Sequence, residues 1–292
     1  MHDHLIRATA PGIRAFAAVT TNLVEEARQR HNCFPLATAA LGRTMTGALL
    51  LAANLKTAES ITVRISGDGP LKEIVADAYP DGSVRGYVRN PFVDLPLKHG
   101  KWDVGQAVGK GHIYVTRFVG LKQPFTGSAE LVSGEIAEDI TQYLAVSEQT
   151  PSSVALGVLI APDTTVAAAG GFFVQALPGA QEDALTQLED NLQQLPPISQ
   201  MVSSGKDAKG ILEMLFAGLP ITFYDSLELT FNCQCSRERV ENMLISLGAN
   251  EINEMIIEGQ AEVCCHFCSE KYLFSAQELA DVLQEIESNH EK

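Results

Sequence analysis

Two short cysteine motifs, Cys233-Gln-Cys235 and Cys265-His-Phe-Cys268, decide how the C-terminal part of this chain folds. The two pairs are separated by 29 residues, and five of the six cysteines in the chain lie between positions 233 and 268. A close pair on a turn can present both sulfurs to one ion, and two such pairs complete the closed tetrahedral coordination of a structural zinc. We therefore favour a Cys₄ zinc site over four buried, unliganded thiols.

The acidity of the chain is concentrated toward its C-terminus. The 292 residues carry a net charge of −15, and residues 226–292 alone carry 13 acidic and 4 basic side chains, a net charge of −9. Nucleic acids and anionic membrane surfaces are bound by clustered lysines and arginines. The charge pattern therefore predicts neither a nucleic-acid partner nor a membrane partner.

The N-terminal sequence and the cysteine content predict a cytoplasmic protein. Residues 1–7 contain no apolar secretory core. The longest apolar run, residues 36–55, is interrupted by Arg43 and is rich in threonine and glycine, which is typical of a buried helix rather than a membrane span. In a reducing compartment, clustered cysteines bind metals or act in redox chemistry more often than they form structural disulfides.

The pattern of apolar residues predicts an α+β fold in three parts. These are an N-terminal mixed sheet-and-helix domain (residues 1–178), a helical linker subdomain (179–226) and a small C-terminal zinc-binding module (227–292). In the first part we expect a hairpin over residues 4–20, a helix capped by Thr21 or Asn22, and a long helix that begins at Pro35. The apolar runs 153–160 and 166–177 predict two interior strands.

The linker and the module are both poor in large apolar side chains. A single leucine stripe marks residues 182–194, and two shorter apolar segments follow it. In the module, Ser236 is a candidate N-cap, residues 261–274 indicate a hairpin, and Ser275 with Glu278 forms a capping box. Zinc contributes about 10–16 kcal/mol to the folding of model zinc peptides, so we expect the module to depend on its metal.

The same four thiolates also provide a route to unfolding. Thiolate is the reactive form of cysteine, and oxidation to a disulfide removes two ligands at once. The partners within each pair are close neighbours, so two local disulfides are within reach without large motion. The spacing therefore motivates the hypothesis of a redox switch in which loss of the metal unfolds the module and loosens the linker.

Catalysis is not predicted. Residues 1–178 contain no nucleophile elbow, no Walker loop and no grouped Ser, His and Asp. Four protein thiolates leave no coordination position for a reactive water. Two alternatives remain open on the residues alone: a structural zinc protein without a redox switch, and a zinc-ribbon protein that binds nucleic acid, which the acidic charge disfavours.

The cysteine motifs and their flanking residues resemble the redox-regulated bacterial holdase family, the 33 kDa chaperonins, and the Gram-positive branch most closely. The similar segments are Cys235-Ser-Arg-Glu-Arg, Cys268-Ser-Glu-Lys-Tyr-Leu-Phe, Ala40-Leu-Gly-Arg-Thr-Met-Thr, Gly67-Asp-Gly-Pro, Ser147-Glu-Gln-Thr-Pro-Ser-Ser and Ala169-Gly-Gly-Phe. The resemblance covers the whole chain and implies an ATP-independent stress-response chaperone that binds unfolding client proteins and prevents their aggregation.

The resemblance also implies specific roles for the cysteines. Cys233, Cys235, Cys265 and Cys268 would bind one Zn²⁺ per chain in the reduced, inactive form. Oxidation would release the metal, form the disulfides Cys233–Cys235 and Cys265–Cys268, unfold the module and the linker, and favour a homodimer.

Three further residues are singled out because they are potential competitors for the metal or for oxidation. Cys264 departs from the family pattern, and in an extended segment it faces away from its neighbour Cys265. His266 lies between two of the expected ligands and is predicted to be solvent-exposed. Cys33 is distant in sequence and is predicted to be an ordinary, semi-buried thiol.

Overall fold

The structure, a computed structural model, describes residues 2–56, 59–98, 100–119 and 123–290. The chain divides into two compact units, Met1–Asn232 and Cys233–Lys292, which are described separately below. The first unit includes residues 179–226, which the sequence assigns to a linker of their own. The α+β fold class is confirmed.

The first unit contains the predicted N-terminal hairpin, the predicted helix that begins at Pro35 and both predicted apolar strands, together with further elements. Its strands are β1 (His4–Ala10), β2 (Ile13–Val19), β3 (Ser60–Gly67), β4 (Glu73–Ala78), β5 (Ser83–Val88), β6 (Gly111–Phe118), β7 (Phe125–Glu130), β8 (Ser152–Ile160), β9 (Val166–Ala176), β10 (Thr222–Phe223), β11 (Leu227–Glu228) and β12 (Thr230–Phe231). Its helices are α1 (Thr21–His31), α2 (Pro35–Ala52), α3 (Val104–Val108), α4 (Ala137–Val146), α5 (Glu182–Gln194), α6 (Ile198–Ser203) and α7 (Ala208–Leu215).

These strands form two six-stranded sheets. The first sheet has the order β10-β1-β2-β9-β8, with β11 also paired to β1, and all of its pairs are antiparallel. The second has the order β12-β5-β4-β3-β6-β7, and only its β12–β5 pair is parallel. The expectation that β8 is an interior strand is wrong, because β8 lies at one edge. Its apolar residues are explained by α2, α4 and α6, which pack against it.

Helix α2 packs against strands of both sheets. All of its residues from Leu36 to Ala52 are buried except Arg43. Its glycines allow the close approach: a Cβ atom at Gly42 would lie only 2.6 Å from Cγ1 of Val24. The small-residue composition of this segment therefore reflects tight packing in the interior of the unit.

The helix α1 is capped from a distance. Thr20 holds the N-cap position, but its hydroxyl pairs with the Thr46 hydroxyl at 2.8 Å and makes no capping hydrogen bond. The Asp3 carboxylate instead accepts the backbone N–H groups of Asn22 (3.1 Å) and Leu23 (2.7 Å). The prediction that Thr21 or Asn22 caps this helix is wrong, because an acceptor from the start of the chain satisfies the free N–H groups.

The helices α5, α6 and α7 lie against one face of the first sheet. They share a buried apolar cluster with small residues of the strands: Ala8, Ala15, Ala17, Val174, Leu188, Met201, Ile211, Leu212 and Leu215 are among its members. The leucine stripe predicted for residues 182–194 is the face that α5 turns toward this cluster. The weak helices of this segment are therefore stabilised by tertiary packing.

The second unit contains a two-stranded hairpin and three helices, α8 (Arg237–Leu247), α9 (Ala249–Glu258) and α10 (Ala276–His290). Its strands β13 (Gln260–Cys264) and β14 (Lys271–Ser275) are antiparallel. The predicted cap and capping box are confirmed: the Ser236 hydroxyl accepts from Arg239 N–H, and Glu278 accepts from Ser275 N–H at 2.8 Å.

The core of this second unit is small. Its buried members are Val240, Leu244, Ile252, Ala261, Phe274, Leu279, Val282 and Ile286. In the described part of the unit this apolar cluster is small, and domains of about 60 residues are marginal without a metal or a disulfide. In the described part of the chain, no helix has the length and apolar character required to cross a membrane.

Candidate metal centre

The first cysteine pair is held by the N-terminus of α8. Cys233 and Cys235 directly precede the N-cap Ser236. The Arg239 guanidinium donates to the backbone carbonyl of Gln234 at 2.7 Å, which fixes the residue between the two cysteines. This contact joins the loop that carries both cysteines to the helix.

The second pair lies in the turn of the β13–β14 hairpin. Two backbone hydrogen bonds close this turn: Cys265 N–H donates to Glu270 C=O at 2.9 Å, and Ser269 N–H donates to Cys265 C=O at 2.8 Å. Ser269 adopts a left-handed conformation with φ of 59°. The turn thereby brings Cys268 back toward Cys265.

The four sulfurs of Cys233, Cys235, Cys265 and Cys268 lie within 4.8 Å of one another. Cys233 Sγ is 3.7 Å from Cys265 Sγ, and Cys235 Sγ is 3.4 Å from Cys268 Sγ. A tetrahedral zinc with bonds of about 2.3 Å to sulfur places its ligands about 3.8 Å apart. The group could therefore hold one metal ion, and its four soft sulfur donors fit zinc.

Ionisation of four adjacent thiols is unfavourable unless a bound cation compensates their negative charge. Burial raises the pKa of the Cys265 and Cys268 thiols. At Cys233 burial also disfavours the thiolate, but hydrogen bonds led by the Cys235 backbone N–H outweigh it and lower the pKa. Four adjacent thiolates repel one another, and a bound divalent cation stabilises the ionised form of all four.

Tyr272 is a site residue that sequence analysis missed. Its hydroxyl donates to Cys235 Sγ at 3.1 Å, and this hydrogen bond raises the pKa of the Tyr272 hydroxyl, which stays protonated as a donor. The signal was present in the strand alternation, because Tyr272 and the buried Phe274 share one side of β14 while Leu273 is exposed.

The remaining candidates lie outside the sulfur cluster. Cys264 is exposed and pairs with Lys271 across the hairpin, as expected for a side chain that faces away from Cys265. His266 is exposed, as predicted. Cys33 is buried in the first unit, more deeply than the semi-buried state expected from the sequence.

Comparison with known proteins places the chain in a family. A family model described as Hsp33 protein matches residues 3–275. The chain belongs to the Hsp33 family. Its solved Hsp33 relatives include the 33 kDa chaperonin (heat shock protein 33 homolog) of Thermotoga maritima, which has 39% sequence identity and a TM-score of 0.92. The match covers 98% of this chain and 100% of that structure.

Curated Hsp33 relatives agree over nearly the full length. The 33 kDa chaperonin of Desulforamulus reducens is 52% identical over 291 residues, which is 98% of this chain and 99% of that protein. The 33 kDa chaperonin of Oceanobacillus iheyensis is 50% identical over 289 residues, which is 97% of this chain and 100% of that protein. The family resemblance inferred from the cysteine motifs is confirmed.

Proposed function

We propose that this protein is a redox-regulated, ATP-independent holdase that binds unfolding or oxidatively damaged proteins and prevents their aggregation. The observation that carries the proposal is the cluster of four sulfurs within 4.8 Å, placed in a unit with a small apolar core. Membership of the Hsp33 family supports the chaperone role. The proposed activity is not enzymatic, and the proposed location is the cytoplasm.

In the reduced form, Cys233, Cys235, Cys265 and Cys268 hold one Zn²⁺ per chain. When bound, the ion neutralises part of the thiolate charge and cross-links the α8 loop to the hairpin. Such binding contributes about 10–16 kcal/mol in zinc peptides, and the small apolar core of this unit must also offset the cost of conformational entropy. The four cysteines therefore keep the second unit folded, and the protein inactive, while they stay reduced.

Oxidation removes the ligands in pairs. One thiolate attacks hydrogen peroxide, an S–O bond forms, the O–O bond breaks and hydroxide leaves. A second thiolate then attacks the oxidised sulfur, and a disulfide forms as a second hydroxide leaves. Each disulfide thus takes two electrons from two sulfurs and reduces one peroxide.

We propose the pairs Cys233–Cys235 and Cys265–Cys268. Sulfurs of different pairs also lie close together, at 3.7 Å for Cys233 and Cys265 and at 3.4 Å for Cys235 and Cys268. Peptide mapping of the oxidised chain under non-reducing conditions is therefore the deciding measurement.

Loss of the metal then exposes apolar surface. Without its cross-link the second unit unfolds, and we propose that residues 179–226 loosen with it. The helices α5–α7 cover an apolar face of the first sheet, so their release would expose side chains of both. Unfolded clients bind such surface through the hydrophobic effect. Two activated chains are proposed to associate as a homodimer.

One assay with two readouts tests the proposal. The reduced, zinc-loaded chain is treated with peroxide at raised temperature, and Zn²⁺ release is followed with a chromogenic chelator. Suppression of light scattering by a thermally aggregating test protein is measured in parallel. We expect one Zn²⁺ per chain to be released and aggregation to be suppressed only after oxidation.

The control variant Cys33→Ala, which removes the thiol without burying a new polar group, should behave like the parent, because Cys33 lies outside the sulfur cluster. Release of the metal without suppression of aggregation would refute the holdase and leave a structural zinc site. Retention of the metal under peroxide would refute the switch itself.

A further inference from the structure

Each of the four clustered sulfurs accepts a hydrogen bond from a group within the second unit. Three of the donors are backbone N–H groups two residues further along: Cys235 donates to Cys233, Phe267 to Cys265 and Glu270 to Cys268. These bonds belong to the turns that carry the cysteines. Side-chain substitution therefore cannot remove them.

The Cys235 sulfur accepts a hydrogen bond from a side chain outside the two cysteine motifs. The Tyr272 hydroxyl lies 3.1 Å from Cys235 Sγ and 37 residues away in sequence. Tyr272 sits on β14 opposite Val263, and its half-buried ring packs against the apolar core of the unit. The hydroxyl therefore joins the first cysteine loop to the hairpin that carries the second pair.

We propose that Tyr272 is a positioning residue that slows oxidation of Cys235 and thereby raises the oxidant threshold for metal release. A hydrogen bond to a thiolate stabilises the charged sulfur and makes its electron pair less available. Donors behind a metal ligand also fix the ligand's orientation. The inference rests on the proposed oxidative switch and adds a residue that sets its sensitivity.

Tyr272 affects the attack of the Cys235 sulfur on peroxide, which precedes disulfide formation. The Cys235 sulfur supplies the electron pair that forms the S–O bond as the O–O bond of peroxide breaks and hydroxide leaves. The hydrogen bond must be weakened before that electron pair is fully available. In the reduced chain, Cys235 therefore attacks peroxide more slowly than an equally exposed cysteine that lacks this hydrogen bond.

The variant Tyr272→Phe tests this role because it removes the hydroxyl and keeps the ring. The full-length chain is loaded with Zn²⁺, and far-UV circular dichroism and metal content are checked before peroxide is added. We expect Zn²⁺ release to be about fivefold faster than in the parent chain, the effect of losing one ordinary hydrogen bond. Trapping with dimedone should show more sulfenate at Cys235 and an unchanged amount at Cys265.

The matched control is Tyr224→Phe, which removes a hydroxyl from a tyrosine of the other unit and should leave both readouts unchanged. Equal rates of release and equal trapping at Cys235 in Tyr272→Phe and the parent would overturn the proposal. So would an acceleration of the same size in Tyr224→Phe.

A second measurement applies even if Tyr272→Phe cannot hold the metal. Incorporation of 3-fluorotyrosine throughout the chain keeps the shape of residue 272 and strengthens its hydroxyl as a donor. Release of Zn²⁺ should become slower, and unchanged or faster release would contradict the proposal. These readouts follow the metal and the sulfurs alone. Failure to suppress aggregation would therefore refute the holdase function without deciding the role of Tyr272.

Discussion

The two cysteines outside the sulfur cluster have opposite environments. Cys33 is only 4% exposed, and burial raises the pKa of its thiol to about 12. Cys264 is exposed at the end of β13. Because the thiolate is the reactive form and must be accessible, the two residues should differ greatly in their rate of alkylation.

We expect iodoacetamide at neutral pH to label Cys264 in the native, zinc-loaded chain, and to label Cys33 only after denaturation. Peptide mass spectrometry after timed labelling measures both sites. The variant Cys264→Ser should lose the fast label and keep one Zn²⁺ per chain. Loss of the metal in that variant would mean that Cys264, not Cys265, is the ligand.

The carboxylate of Glu25 links α1 to the first sheet. The Arg28 guanidinium, at 2.6 Å, holds the pKa of Glu25 at about 2, and the Val166 N–H also donates to it. Since the folded pKa lies below the ordinary value of 4.5, this stabilisation is present above pH 4.5 and is lost as the pH falls toward 2.

The substitution Glu25→Gln should therefore lower the free energy of unfolding by about 1 kcal/mol at pH 7. Urea unfolding at several pH values should show the difference from the parent chain shrinking as the pH falls from 4.5 toward 2. Glu26→Gln breaks the more exposed Glu26–Arg30 pair on the same helix and should cost less, about 0–0.5 kcal/mol. A pH-independent difference at Glu25 would contradict the assignment.

At the scale of elements, the helix α7 is held in place by apolar side chains that pack against the first sheet. Leu212 is fully buried in the cluster between this helix and the strands. The substitution Leu212→Ala should destabilise the first unit by about 2–4 kcal/mol, because it leaves a cavity. Thermal unfolding should begin at a lower temperature, and in the proposed switch the oxidised chain should suppress aggregation from a lower temperature as well.

The matched control is Glu213→Ala on the exposed side of the same helix, which should change both temperatures little. If the activation temperature of Leu212→Ala is unchanged although its unfolding temperature is lower, the stability of α5–α7 does not control the proposed activation.

Local patterns in the sequence were sufficient for most elements of the fold. The Pro11-Gly12 turn, the start of α2 at Pro35 and the Ser275–Glu278 capping box are each specified by neighbouring residues. The edge position of β8 and the cap on α1 were not predictable in this way. Both depend on contacts between segments far apart in sequence, with α4 and α6 in one case and with Asp3 in the other.

The candidate metal centre was predictable for a similar reason. Cysteine spacing brought out the four residues whose sulfurs the structure places together, because each pair is local. The role of Tyr272 was not predictable from the sequence, since its hydroxyl contacts Cys235 only after the hairpin has folded. Spacing alone also leaves the metal-binding and disulfide-forming roles as proposals.

At the scale of the whole molecule, the two units differ in what stabilises them. The unit Met1–Asn232 has two six-stranded sheets and an extensive interior around α2. The unit Cys233–Lys292 has a small core and the sulfur cluster. Stability in proteins is not uniform, and segments with few buried contacts open first. Removal of a metal should therefore act on one unit before the other.

We expect a strong chelator under reducing conditions to unfold residues 233–290 while the two sheets of the first unit stay protected. Hydrogen–deuterium exchange with mass spectrometry should show fast exchange in peptides from α8, α10 and the β13–β14 hairpin. Peptides from α2 and β9 should exchange at unchanged rates, because their amides lie in the buried interior of the first unit. Peptides from α5–α7 report directly on the proposed loosening of residues 179–226. Their protection should fall when the metal is removed and return when Zn²⁺ is restored, and constant protection would confine the metal's effect to the second unit.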